Sequence, residues 1–460
     1  MKKVIAIFDI GKTNKKLLLF NEDLKLIQLQ EQPFEEITDE EGFPCDDISA
    51  IETWIISITK SLSLIYEIIA INFTTYGATL VYLDENGNRV TPLYNYLKPL
   101  PEDTLDNFYE RYGDSKEFLR KTASPKLGML NSGLQILWLK NKKSEVYAKV
   151  KNILHFPQYL SYLFTKKIAS EYTSIGCHTA LWDFDNNTYH RWVSDENINL
   201  VAPTSNFDFF TVILNDKPTL IGTGFHDSSA SLIPYLIDHS EKFILISTGT
   251  WSIFMNPFNE EKLTSDQLKK DTLCFLSVQQ KQVKSSRLFM GHIHKKIAEK
   301  LSEYFQKTKD HYQFVKAAPS IFEDLLAKNK VNVFFPNGVS ENADECISDL
   351  EQFDSFEEAY HQLNIDLIKL AKERIEIISG DNDSSAIYIT GGFSRNELYT
   401  RLLATEFPDK TIYTSEIDNA TALGAALITR NALKNEQSYS SNTIDLGIRK
   451  VFPFEFKMTI

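Results

Sequence analysis

The 460-residue chain has little cysteine: Cys45, Cys177, Cys274 and Cys346, with no C-x-x-C pair among them. Neither a disulfide framework nor a zinc cluster is indicated. Basic blocks are also missing. With 49 basic and 62 acidic residues the formal net charge is −13, which argues against nucleic acid as a partner. No uncharged apolar run approaches membrane-spanning length. The start, MKKVIAIFDIGKTN, turns polar after a handful of apolar residues, unlike a secretory signal. These absences predict a soluble cytoplasmic protein with no membrane or nucleic-acid partner.

What is present suits a packed globular protein, with 43% hydrophobic and 12% aromatic residues. The length exceeds one ordinary core, so two domains are expected. No low-complexity linker marks the boundary. The spacer between Leu236 and Glu241 is the preferred division, giving domains 1–238 and 239–460. Helical and strand patterns alternate throughout, which predicts an α/β class.

Two stretches share one plan. Val4 to Phe8 is apolar, Asp9-Ile-Gly-Lys-Thr-Asn14 is a Gly/Thr turn, and Leu17 to Phe20 is apolar again. Phe243 to Ile246, Ser247-Thr-Gly-Thr250 and Trp251 to Met255 repeat the order. Each reads as a hairpin whose tip offers N–H groups and hydroxyls to a phosphate. Hairpins resemble one another in general, yet two at the start of two halves suggest duplication. Between them lies Gly224-Phe-His-Asp227, followed by Ser228 to Ser231. Asp227 reads either as a helix cap or as a general base.

Other elements follow from periodicity. Ile51, Trp54, Ile55, Ile58, Leu62 and Ile65 predict a helix over 50–70. Residues 131–164 read as two helices broken near Phe156-Pro157, and Ala180 to Phe184 as a strand. A long helix is expected from Phe356 to about Ile378. The strand Ala386 to Thr390 then enters Gly391-Gly392, with Ser394 and Glu397 forming a capping box. The small residues of Asp418 to Ala426 open a helix that something can approach closely. Trp54 and Trp138 are expected in the core, and His292 and His294 at the surface. Lys12 reads equally as a phosphate contact or a solvated turn lysine.

In this order and spacing, these pieces resemble the FGGY carbohydrate kinases of the actin-like ATPase superfamily. Asp9 to Asn14 is similar to the first phosphate motif, Ser247 to Thr250 to the second, and Gly224 to Asp227 to the catalytic segment. Thr390 to Ser394 and Ala422 to Ala426 resemble the adenosine motif. The resemblance implies two ribonuclease-H-like domains with a cleft between them. It also implies a kinase that uses ATP and Mg²⁺ on a small sugar, with a homodimer as the candidate assembly. Asp227 would be the general base, and Asp9 would orient Mg²⁺ through water. Gly11, Thr13, Asn14, Thr248, Gly249 and Thr250 would meet phosphates. Gly391, Gly392 and Asn396 would line the adenosine side, and Tyr76, Gly77, Thr79 and His226 would contact the sugar along with Asp227.

Local matches at Thr74 to Gly77, Glu171 to Thr173, His226-Asp227 and Gly249 to Trp251 resemble the rhamnulokinase and fuculokinase branch. That branch phosphorylates O1 of 6-deoxy-ketohexoses. Departures stand at Lys12, where the branch has a small residue, and at Thr79, where it has an aspartate. Tyr94 to Lys98 lacks the branch's arginine, and Phe164-Thr-Lys166 replaces Leu-Thr-Gly. Alternatives are a kinase for another ketose or polyol, and a catalytically weak sugar-binding paralogue. A different actin-like phosphotransferase is disfavoured by the Gly224 to Asp227 segment.

Overall fold

The computed structural model describes residues 1–112, 115–238, 241–328, 332–336, 338–339, 350–381, 384–434 and 445–455. Cys346 and residues 239–240 of the expected interdomain spacer lie outside them.

Two seven-stranded sheets organise the chain. In the first, β1 (Lys3–Ile10), β2 (Lys15–Phe20) and β3 (Leu26–Gln32) form an antiparallel ladder. Helix α1 (Ile48–Leu62) then crosses over, and β4 (Glu67–Thr75) runs parallel to β1. Helix α2 (Phe156–Thr165) comes before β5 (Phe209–Leu214), β6 (Lys217–Gly222) and the short β7 (Phe225–His226). The sheet order is β5-β6-β4-β1-β2-β3, with β7 paired to the end of β4. Helix α3 (Asp227–Asp238) leaves directly from β7.

The second sheet contains β8 (Phe243–Thr248), β9 (Ser252–Asn256), β10 (Thr272–Leu276) and β11 (Gln282–Leu288). Helices α4 (Met290–Tyr304) and α5 (Phe356–Ser379) follow. Then come β12 (Ala386–Gly391), α6 (Glu397–Glu406), β13 (Thr411–Ser415), α7 (Ala420–Leu433) and β14 (Arg449–Val451). Its order is β10-β11-β9-β8-β12-β13-β14. Read from β3 or from β11, neighbouring strands run antiparallel, antiparallel, parallel, parallel, antiparallel in both sheets. The shared plan read from the two hairpins is thus a repeat of whole sheets.

Burial explains the strand compositions. Ile5, Ile7, Phe8 and the run Phe243 to Ile246 are essentially inaccessible, as expected of central strands covered on both faces. Asp47 caps α1 by accepting from the Ala50 amide at 3.0 Å, and Ser355 caps α5 by accepting from Glu358. Helices α3 and α7 pack together, with Ala230, Ile233, Ala422, Ala425 and Ala426 joining Ile5 and Ile7 in one apolar cluster. A Cβ on Gly424 would lie 2.0 Å from the Ala230 carbonyl oxygen. The small residues of α7 therefore admit a neighbouring helix backbone.

Several sequence expectations are corrected. Residues 152–155 form a strand paired with Leu80–Leu83, and Phe156-Pro157 starts α2 instead of interrupting a helix. Proline is suited to a first turn because its missing N–H would have no partner there. Helix α1 stops at Leu62, leaving Ile65 exposed. The strand expected at 180–184 shrinks to Trp182–Asp183. The cap of α6 is Asn396, accepting from the Tyr399 amide at 3.2 Å, while Ser394 donates to the Gly391 carbonyl. Among the described residues no helix is long and apolar enough to cross a membrane.

Candidate active site

The turn between β8 and β9 separates two cavities. Gly249 lines one of about 790 Å³, together with His294, Tyr360, Gly392, Phe393 and Asn396. Trp251, two residues on, lines another of about 610 Å³, with Tyr76, Gly77, His178, His226 and Arg287. Gly392 and Asn396, expected on the adenosine side, line the first cavity, and Tyr76, Gly77 and His226, expected on the sugar side, line the second; Gly391 and Asp227 are not among the lining residues of either. Thr79 also lies apart from the lining. It is buried, and its hydroxyl donates to the Gly77 carbonyl at 3.1 Å. A short hydroxyl next to an unpaired backbone carbonyl is satisfied locally.

Asp227 stands where β7 gives way to α3. Its carboxylate accepts from the Ser228 amide at 2.6 Å and lies 3.3 Å from His226 Nε2. The deep setting pushes its pKa up to about 6, while 34% of the side chain remains open to the cleft. Asp9, at the end of β1, accepts from the Thr74 hydroxyl at 2.7 Å. Burial, and more weakly the charge of Asp227, also push its pKa up to about 6. Two crowded, underneutralised carboxylates form a set that a hydrated divalent cation would relieve, and Mg²⁺ uses few protein carboxylates. Among the described residues no group of three or more His, Cys, Asp or Glu gathers as a full metal cage.

The hairpin tips divide their labour. The Gly11 amide donates to Asn14 O at 2.8 Å and the Gly249 amide to Trp251 O at 2.9 Å, so both close their own turns. Thr13, Asn14 and Thr250 are exposed at the tips. Thr248, expected to offer its hydroxyl to phosphate, instead donates it to the Thr390 carbonyl and accepts from the Phe393 amide at 3.0 Å. It staples the β8 turn to the Gly391-Gly392 turn. Asn396 donates to Tyr360 Oη at 3.3 Å and to Asn364 Oδ1 at 3.1 Å, while capping α6. His294, expected at the surface, is buried and 3.0 Å from the same Tyr360 hydroxyl.

On the other side, the Tyr76 hydroxyl donates to Asp46 at 2.6 Å. Asp46 also receives Lys15 at 2.8 Å and Lys12 at 2.9 Å. Lys12 is not free in solvent; its ammonium is held between Asp46 and Glu36. His226 is fixed from behind. Buried Glu171 accepts from the Thr173 hydroxyl at 2.7 Å, and Thr173 Oγ1 accepts from the His226 amide at 3.0 Å. Burial holds the His226 pKa down to about 4, so its ring is neutral.

Asp46, His178 and Arg287 escaped the sequence reading. Arg287 lies over the Trp251 ring, 5.3 Å from its centroid, and pairs with Asp271 at 2.6 Å. Trp251 in turn stacks on Phe289 at 4.4 Å. In β11 the available signal was a single arginine following the small polar residues Ser285 and Ser286.

Comparison with known proteins agrees with this architecture. Residues 4–195 match the N-terminal domain of the FGGY family of carbohydrate kinases, and residues 240–438 match the FGGY carbohydrate kinase C-terminal domain. A rhamnulokinase of Oceanobacillus iheyensis is 25% identical over 460 residues, covering 92% of each chain. A carbohydrate kinase from Novosphingobium aromaticivorans superposes with a TM-score of 0.81 at 20% identity, covering 99% of this chain and 95% of that one. A ligand-bound xylulose kinase from Lactobacillus acidophilus gives 0.77 at 18% identity, covering 98% and 94%. These likenesses carry the actin-like, ribonuclease-H-like two-domain fold. With both domain models matched in order, the chain belongs to the FGGY family of carbohydrate kinases and is a sugar phosphotransferase.

Proposed function

We propose that the protein transfers the γ-phosphoryl group of ATP to a primary hydroxyl of a ketose, O1 of a 6-deoxy-ketohexose such as L-rhamnulose or L-fuculose. The observation that carries the reading is Asp227. Its carboxylate is partly open, has a raised pKa, and lies 3.3 Å from His226, which lines the 610 Å³ cavity.

Phosphoryl transfer proceeds through a loose transition state, so the protein mainly positions reactants and balances charge. Asp227 accepts the proton of the attacking hydroxyl as general base. His226, neutral and held by Thr173, orients the sugar next to it. Thr13, Asn14 and Thr250 meet the phosphates from the two hairpin tips, and Gly392 and Asn396 border the nucleoside. Asp9 would hold a hydrated Mg²⁺, which would supply charge neutralisation at the phosphates. The division into domains 1–238 and 239–460 places each hairpin in its own lobe. Closure of the lobes would exclude water from the transfer.

The 6-deoxy-ketohexose rests on the local sequence likeness and on the rhamnulokinase relative. Thr79, whose hydroxyl faces inward, favours a second reading in which another ketose or a polyol is the substrate. Initial rates with ATP across ketohexoses, ketopentoses, glycerol and gluconate test both. Highest kcat/KM on L-rhamnulose or L-fuculose supports the first. Highest kcat/KM on glycerol or gluconate overturns it, and binding without turnover of any sugar overturns the kinase reading altogether.

A further inference from the structure

His178 is half-buried and, like His155 and His226, has a buried ring nitrogen that no protein group meets. It lines the 610 Å³ cavity and also the adjoining 100 Å³ one, which it shares with His226 and Arg287. Its Nδ1 is buried without a protein partner, and no hydrogen bond to a described residue engages its Nε2. His361 makes the contrast: its Nδ1 meets the Glu357 carbonyl at 2.6 Å and its Nε2 accepts from the Ala318 amide at 3.0 Å. His294 likewise spends Nε2 on Tyr360. A buried ring nitrogen left unmet is costly unless a ligand or water completes it.

The backbone at this point is also unusual. His178 has φ +52°, a left-handed conformation that is uncommon outside glycine, though His adopts it more readily than most residues. The surroundings are visible: the His178 carbonyl accepts from the Ser132 amide at 3.3 Å and the Thr179 carbonyl from Gly133 at 2.8 Å. The tie to the start of helix 132–142 turns the chain so that the ring reaches the cavity wall. On the same wall, Cys177 Sγ lies 3.4 Å from His226 Nε2, so His178 directly follows a residue touching His226.

We propose that His178 is a specificity-determining residue that hydrogen-bonds a sugar hydroxyl other than the one phosphorylated. The assignment rests on the kinase reading above and names one feature of its substrate, a hydroxyl lying against the 132–142 side of the cavity. Burial pushes the His178 pKa down to about 4, so the ring is neutral and offers one donor and one acceptor. A hydroxyl, itself donor and acceptor, is the matching group, whereas a carboxylate is not.

The test compares the wild type, His178→Gly and His178→Asn on the preferred sugar and on its single-deoxy analogues. Glycine removes the ring while tolerating the left-handed backbone, and asparagine keeps a short polar group that also tolerates it. Sugar affinity is read by calorimetry without nucleotide, alongside KM and kcat. His178→Gly is expected to weaken sugar binding about ten- to a hundredfold, with ATP KM unchanged and partial recovery in His178→Asn. One deoxy analogue should bind the wild type and His178→Gly equally weakly, because the contact is already lost. Unchanged discrimination among the deoxy analogues in a folded His178→Gly overturns the assignment while the kinase reading stands. If the glycine variant does not fold, the same comparison in His178→Asn decides. A wild type that phosphorylates no sugar overturns the kinase reading instead, and this assignment with it.

Discussion

Gly77 lies directly under the His226 ring: a Cβ there would fall 2.9 Å from His226 Cδ2 and 3.0 Å from Nε2. The ring cannot retreat freely, since Cys177 and Asp227 flank Nε2 and Thr173 holds the backbone amide. Glycine is present here because the two segments approach closely, with no demand on φ. Gly77→Ala should tilt the imidazole away from its place beside Asp227. The expected outcome is a folded protein whose kcat/KM for sugar falls about tenfold or more, because small misplacements are costly in positioned chemistry. The ATP KM should hold, which steady-state kinetics with each substrate varied will show.

Asp227→Asn should lower kcat by about two to four orders of magnitude while ATP binding persists. In the wild type, the base must be ionised, so kcat/KM for sugar should rise with pH through about 6 and level off above it. Stability should move the opposite way. With its folded pKa raised, Asp227 favours the folded state fully only below the ordinary carboxylate range, and that contribution is lost as pH rises through about 6. The asparagine variant, spared an ionised group in a buried setting, should therefore melt higher than wild type at pH 8. The gain should shrink toward pH 4. A lower Tm for Asp227→Asn at pH 8 would contradict this account.

The hairpins, Asp227 and the Gly-Gly turn were legible because local chemistry fixes them: apolar strands, glycine at the bend, small residues opening a helix. The β5–β6 hairpin also left a local signal, since Asn215 and Asp216 both take positive φ at its turn. What the sequence could not show was where short polar side chains turn. Thr248 matches its motif and Thr79 departs from its own, yet each hydroxyl is taken up by a backbone carbonyl. Lys12 and Asp46 are 34 residues apart, and only the folded lobe brings them within 2.9 Å. His294 was expected at the surface because no nearby carboxylate or cysteine completes a metal site with His292, but it lies buried against the Tyr360 hydroxyl of α5.

The paired glycines after β12 should respond to substitution in opposite ways. A Cβ on Gly392 would meet nothing within 4 Å, so Gly392→Val should fold normally and intrude into the 790 Å³ cavity. The expected result is a sharply raised ATP KM at nearly unchanged Tm. Gly391 has φ +85°, and a Cβ there would lie 1.8 Å from the Thr248 carbonyl oxygen. Gly391→Ala should therefore cost about 2–5 kcal/mol from backbone strain and overpacking. Denaturant melts combined with ATP kinetics separate the two; an unchanged ATP KM in folded Gly392→Val would remove this cavity from the nucleotide assignment.

Asp46 is the joint between the first hairpin and the candidate sugar cavity. It is buried and accepts from Lys15, Lys12 and the Tyr76 hydroxyl, and these three bonds hold its pKa below the ordinary carboxylate range against the effect of burial. Lys15 is as deeply buried as Asp46, with side-chain exposures of 4% each. Removing the carboxylate strands that ammonium, a change that typically costs about 3–5 kcal/mol. Asp46→Ala should thus unfold at markedly lower denaturant. Lys12 is more open and keeps Glu36 as a partner, so Lys12→Met should cost much less. If Lys12 served phosphate instead, Lys12→Met would raise the ATP KM. With its ammonium already shared between two carboxylates, the expected outcome is an unchanged ATP KM. The sugar KM should change modestly as Tyr76, whose ring lies 5.9 Å from Lys12 Nζ, loses a neighbour.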